Sequence, residues 1–255
     1  MGRFAGDECL AAVGSTGSLN FLINGFCMGL CSGFAIPIAQ AKGAQDDAEM
    51  RRFIMHSVYL CVVFSVAMGL LTGFGSPLLL HLMNTQDELM GMATAYIQPV
   101  FFAIPATVLY NMAAGVMRSL GDSRTPMLAI VIAALLNIVL DTVFILIFRM
   151  GVAGVALATV ASQIMSCVLV ILCLLRSHTA IRLELRKLKL NPQMAVRLLK
   201  IGLPAGFQSA MFSIANVLIQ STRNSFGSTV MAANSASQNL GGFVNALRNT
   251  FIMLV

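Results

Sequence analysis

PMLAIVIAALLNIVLDTVFILIF, residues 126–148, carries a single charge, Asp141, in its whole length. An α-helix crosses the hydrocarbon core of a bilayer in about 20 predominantly apolar residues, so this stretch is long enough to span a membrane. Similar blocks lie at 16–41, 53–80, 96–117, 152–175 and 201–222, and a last one runs from 229 to the end. The pattern predicts seven helices, the last unfinished. Composition agrees, because 58% of the 255 residues are hydrophobic and only 10% are charged, whereas a soluble domain has about 25% charged residues to cover its surface. The expected fold class is an all-α, multi-pass membrane protein.

The net charge of +6 reflects topology and not nucleic-acid binding, since the bases sit in short loops between apolar runs. Trp is absent and only three Tyr are present, so basic residues supply the interface signal that aromatic belts usually give. Alternating the loops puts Lys42, Arg51, Arg52, Arg118, Arg124 and the seven bases of 176–200 on one side, and Arg3, Arg149 and Arg223 on the other. Twelve bases against three assign the first side to the cytoplasm. Such a protein belongs in the cell's inner (plasma) membrane, with the lipid bilayer as its solvent.

Several classes lack their parts. Cys27, Cys31, Cys61, Cys167 and Cys173 lie inside apolar segments, Cys9 lies at the edge of one, and none forms a CxxC pair. No disulfide framework or metal site is expected. His56, His81 and His178 are scattered, and HExxH, Walker and GxSxG motifs are missing, so no enzyme is expected. The first ten residues have no basic region followed by a cleavable apolar core.

Residues 176–200 form a basic, amphipathic stretch broken at Asn191-Pro192. It divides the chain into an amino-terminal lobe (1–175), a cytoplasmic linker (176–200) and the start of a second lobe (201–255). A shift of 221 residues aligns Gly6 with Gly227, Leu10-Ala11-Ala12 with Met231-Ala232-Ala233, Leu19 with Leu240 and Asn24 with Asn245. The copies enter the membrane from the same side, a parallel repeat. The second copy has a whole helix before the matched region and the first has almost nothing. A protein of about six plus six helices is expected, of which this chain lacks the first helix and most of the second lobe.

Nine of the ten acidic residues lie in or beside loops; Asp141 alone sits inside a spanning block. A carboxylate there costs a few kcal/mol even on the mildest insertion scale, so it faces a bundle interior or a wet cavity. Asn137 is one turn earlier on the same face. Together they offer hard oxygen ligands to a small cation, or a proton-exchanging carboxylate tuned by an amide; the plainer alternative is an interhelical hydrogen bond. Thr159, Ser162, Gln163 and Ser166 form one stripe on the next helix, with Ser162 and Ser166 read as packing. Gln208, Ser209, Ser213, Asn216 and Gln220, then Asn234, Gln238 and Asn245, give later segments a polar face that points to a cavity. Gln163, Gln208, Asn216, Gln220 and Gln238 are the candidates to line it. Gly25, Gly29 and Gly33 make GxxxGxxxG, a close-approach packing motif. Pro99 and Pro105 predict a kink in the third helix.

Several strings in order then resemble one family, multidrug and toxic compound extrusion (MATE) transporters. They are Ile38-Ala39-Gln40 with Lys42-Gly43-Ala44, residues 117–127 (MRSLGDSRTPM), 136–141 (LNIVLD), 151–159 (GVAGVALAT) and Gly202-Leu203-Pro204. The resemblance covers nearly the whole chain. It implies a twelve-helix protein of two six-helix lobes, with this chain running from the second helix into the eighth. It also implies an amino-lobe cation site made of an Asp on the first helix, here absent, and of Asn137, Asp141 and Thr159. Some branches place an acid on the seventh helix, and 201–222 contains none. The expected function is H⁺- or Na⁺-coupled antiport, exporting drug-like or organic cation substrates by alternating access. That ion is the only cofactor expected, and Asn137, Asp141 and Thr159 are where Na⁺ would bind. Expected partners are a small organic substrate, lipid and the remaining helices of the full-length chain. The alternatives are a lipid-linked oligosaccharide flippase of the same superfamily and a non-transporting membrane assembly protein.

Overall fold

Inside a bilayer every peptide N–H and C=O must be satisfied within the protein, and an α-helix does this within its own segment. The computed structural model describes residues 7–83, 85, 87–148, 150–176 and 191–224, with side chains described for 12–83, 85, 88–148, 150–176 and 191–215. These residues form seven helices: α1 (Asp7–Gly43), α2 (Asp47–Leu82), α3 (Asp87–Phe102), α4 (Ile104–Ser119), α5 (Arg124–Leu146), α6 (Gly151–Arg176) and α7 (Pro192–Asn224). Five of them, α1, α2, α5, α6 and α7, are each long and apolar enough to cross a membrane. The pair α3 and α4 reaches that length only together, as one bent crossing. The expected last block from 229, the Gly227 side of the repeat, and linker residues 177–190 lie outside the described residues.

Helix ends outrun the apolar blocks, because polar caps continue a helix beyond the hydrocarbon. The Asp46 carboxylate accepts the Glu49 backbone N–H at 2.8 Å and starts α2, six residues before the expected edge. Helix α7 starts at Pro192, a residue suited to the first helical turn, and Asn191 Oδ1 accepts the Gln193 N–H at 3.0 Å. The last nine residues of the basic stretch therefore wind into α7.

The block expected as one kinked helix is two, α3 and α4, bent by 44°. Pro105 has no N–H to carry the ladder across the break, while the Ala103 N–H still reaches the Pro99 carbonyl at 3.1 Å. Gly69 of α2 makes room for the bend, since a Cβ there would lie 3.2 Å from the Phe101 carbonyl oxygen and 3.3 Å from Pro105 Cδ.

Met1–Ala210 forms one compact unit and Met211–Val255 a second; the contacts below belong to the first. Its core joins Leu30, Phe34 and Ile38 of α1, Met50, Phe53 and Ile54 of α2, and Ile97 and Phe101 of α3, all buried. Polar ties cross between helices: Ser119 donates to the Ala35 carbonyl at 3.3 Å and Tyr110 to the Pro126 carbonyl at 3.1 Å. Helix α5 buries only Pro126, Ala129 and Ala133. Its exposed Ile130, Leu135, Ile138 and Val139 make an apolar face suited to lipid.

Candidate functional site

Helix α5 packs chiefly on α6, which packs in turn on α3 and α4. The packing brings Tyr96 of α3, Thr159 of α6 and Asp141 of α5 into one neighbourhood, with Asn137 one turn before Asp141 on α5 and Gln163 one turn after Thr159 on α6. All five side chains are half-buried. The Tyr96 phenol faces the Thr159 hydroxyl, and the Asp141 carboxylate is close enough to act on that phenol electrostatically. Thr159 also donates to the Val155 carbonyl at 2.9 Å, which fixes its rotamer against its own helix.

Two oxygens at this junction stand out. Among the described residues, Asp141 Oδ1 and Gln163 Oε1 are buried side-chain oxygens without a hydrogen-bond partner. Buried polar atoms are nearly always paired, and one left unpaired forfeits about 1–3 kcal/mol. The Asp141 carboxylate with the Tyr96 and Thr159 hydroxyls forms an all-oxygen donor set, and the Gln163 amide lies one turn beyond Thr159 on α6. Such a set fits a hard monovalent cation or a proton and does not fit a soft metal. Among the described residues no group of three or more His, Cys, Asp or Glu side chains could hold a metal ion.

The remaining stripe positions are structural. Ser162 and Ser166 are buried and donate back to the Thr159 and Gln163 carbonyls, at 2.8 Å each. Gly29 and Gly33 meet α7: a Cβ on Gly33 would come within 2.7 Å of Gly202 Cα, and one on Gly29 within 2.5 Å of the Ala205 carbonyl oxygen. Gly25 is half-buried on the same helix. Gln208 is exposed on α7. The side chains of Asn216 and Gln220, and all of Asn234, Gln238 and Asn245, lie outside the described residues.

Tyr96 was not legible as a site residue. It stands at the start of an apolar block, where an aromatic residue reads as an interface anchor, and only the packing of α3 on α6 turns its hydroxyl toward Thr159. Beside the junction a cavity of about 600 Å³ opens at the α3–α4 break. Apolar Pro99, Phe102, Pro105, Val160 and Ile164 line it, with Gln98 as a polar contact. Val160 and Ile164 directly follow Thr159 and Gln163 in sequence, so the cavity and the oxygen cluster occupy neighbouring faces of α6.

The MatE family model matches residues 1–143. A probable multidrug resistance protein of Bacillus subtilis, YpnP, is 31% identical over 244 residues, covering 96% of this chain and 54% of its own length. The multidrug export protein MepA of Staphylococcus saprophyticus is 27% identical over 230 residues, covering 89% of this chain and 51% of its own. A solved outward-facing structure of a multidrug resistance MATE family transporter of the MOP superfamily superposes with a TM-score of 0.84 at 28% identity, covering 95% of this chain and 55% of that one. The chain thus spans about half the length of the relatives it matches.

Proposed function

The chain belongs to the MatE family of multidrug efflux transporters, and from that premise we propose that it forms the amino-terminal lobe and the start of the carboxy-terminal lobe of a cation-coupled antiporter in the cell's inner membrane. In this reading 1–175 is the first lobe, 176–200 a cytoplasmic linker and 201–255 the beginning of the second. Inward flow of H⁺ or Na⁺ drives export of a drug-like or organic cation by alternating access.

One observation carries the proposal. Asp141, the single carboxylate inside a spanning block, holds a buried oxygen with no partner among the described residues, next to the Tyr96–Thr159 pair. A carboxylate so placed gains from a proton or a cation, and differential binding of that ion in two conformations is what couples a gradient to a conformational change. Asn137 and Thr159 supply neutral oxygens to the ion. The apolar cavity of about 600 Å³ is within the range that takes a drug-sized molecule, which supports the substrate class.

The test is ion-gradient-driven efflux of a fluorescent organic cation from vesicles holding the full-length transporter, at matched membrane expression. Asp141→Asn retains the shape and the capacity to join helices but removes the charge and the exchangeable proton. Gradient-driven efflux should disappear while substrate binding remains. Wild-type efflux from the Asp141→Asn protein would reduce the carboxylate to interhelical glue.

A further inference from the structure

His56 stands on α2 with Phe53 and Glu49, three and seven residues earlier on the same face, and is 4% exposed. Both ring nitrogens are engaged. Nδ1 lies 2.7 Å from the Arg52 carbonyl oxygen, and Nε2 lies 2.9 Å from the backbone nitrogen of Asn191. A carbonyl oxygen only accepts and a peptide N–H only donates. The ring is therefore neutral with its proton on Nδ1, donating to Arg52 and accepting from Asn191.

Asn191 is the residue before α7, so this bond fastens the start of that helix. Two neighbouring contacts act on its second turn. Arg197 Nη1 is 3.4 Å from Glu49 Oε1, and its guanidinium carbon lies 5.3 Å from the centre of the Phe53 ring. The Arg197 and Glu49 side chains are 59% and 41% exposed; an ion pair in that position holds weakly. The bond to His56 is the stronger constraint, because the ring is buried and releasing Nε2 leaves a buried acceptor without its donor.

We propose that His56, with Glu49 and Phe53, forms a proton-sensitive latch that holds the start of α7 on α2 while the ring is neutral and releases it when Nε2 takes up a proton. A proton on Nε2 converts the acceptor into a donor that confronts the Asn191 N–H. It also places a cation among others. The charged groups of the helix ends that meet here are Asp46, Asp47, Glu49, Arg51 and Arg52 at the start of α2, Lys42 at the end of α1, 3.7 Å from Asp47, Arg118 at the end of α4, and Arg197 and Lys200 on α7. Glu49 is paired with Arg197 and Asp47 with Lys42, so at these helix ends the unpaired basic residues outnumber the acids. A proton taken up at Nε2 is therefore the trigger that the geometry of the latch supplies.

The inference concerns conformation and not flux, so its failure would leave the transport reading standing. Spin labels at Ala48→Cys and Val196→Cys, both exposed positions, would report the α2–α7 separation by pulsed EPR. The sample is the full-length transporter in lipid nanodiscs, with Cys9, Cys173 and any other accessible cysteine replaced by Ser. A narrow short-distance population is expected at about pH 8, falling several-fold by about pH 5. His56→Gln, whose amide oxygen can accept the same N–H and takes up no proton, should retain that population at both values. His56→Ala should lose it at both. A wild-type distribution unchanged across the range would overturn the latch. So would opening of the His56→Gln chain on acidification, or a closed His56→Ala chain. If His56→Ala fails to fold, the wild-type scan and the His56→Gln protein decide between them.

Discussion

Gly33 of α1 lies directly against Gly202 of α7, so that a Cβ added at Gly33 would fall 2.7 Å from Gly202 Cα and 3.1 Å from the Ile201 carbonyl oxygen. Both obstacles are backbone and cannot rotate away. Gly202 is itself covered by the Phe34 ring, so the contact is closed from both helices. The GxxxGxxxG run of α1 is thus a bed for the first half of α7.

Gly33→Ala should therefore push the two helices apart and destabilise the chain by about 1–3 kcal/mol, the usual cost of overpacking. Gly75→Ala in α2, where a Cβ would meet nothing within 4 Å, should be neutral or stabilising by up to about 1 kcal/mol through helix propensity. Thermal unfolding of both variants in one detergent checks the pair. Equal midpoints would show that the helices part without cost.

Asp122 starts α5 from the loop: Oδ1 accepts the Arg124 and Thr125 N–H groups at 3.1 Å each, and Oδ2 accepts the Thr125 hydroxyl at 2.6 Å. The hydroxyl bond, followed by the backbone N–H of Thr125, holds the carboxyl below its ordinary value, against a small opposing effect of burial. A carboxylate whose folded value is depressed contributes above its unfolded value, about 3.9, and loses the contribution as pH falls through the folded value. Asp122→Ala should cost about 1 kcal/mol, as loss of a helix cap does. The deficit measured at neutral pH should shrink below about pH 4. Unfolding midpoints of wild type and variant across that range test it.

Tyr96→Phe and Thr159→Val each remove one hydroxyl from the oxygen cluster and leave the hydrocarbon frame in place. In the full-length transporter each should weaken the dependence of efflux on the ion by about 1–1.5 kcal/mol, up to roughly ten-fold in the ion concentration for half-maximal rate. Transport itself should persist, in contrast to Asp141→Asn. An ion dependence identical to wild type in both would remove Tyr96 and Thr159 from the site.

Topology is testable at the loops. Ala44 is exposed in the turn between α1 and α2, on the side that collects the basic residues. A cysteine at Ala44 should resist an impermeant thiol reagent in intact cells and react after permeabilisation, whereas one at Thr85 should react in intact cells. Native cysteines are replaced beforehand. The reverse pattern would invert the orientation.

The sequence by itself determined that the chain is helical and crosses a membrane, because that follows from counting apolar residues against bilayer thickness. It also isolated Asp141, since a charge inside hydrocarbon is conspicuous without any structure. Tertiary structure decided which helices meet. It seated Gly33 on Gly202, broke the third crossing at Ala103 over Gly69, and turned Tyr96 toward Thr159. In a membrane every helix face is apolar enough to be a lipid face, so hydrophobic periodicity, the signal that names the buried side of a soluble helix, says little about partners. Close packing and hydrogen bonds choose them instead, and both depend on atoms brought together from distant parts of the chain.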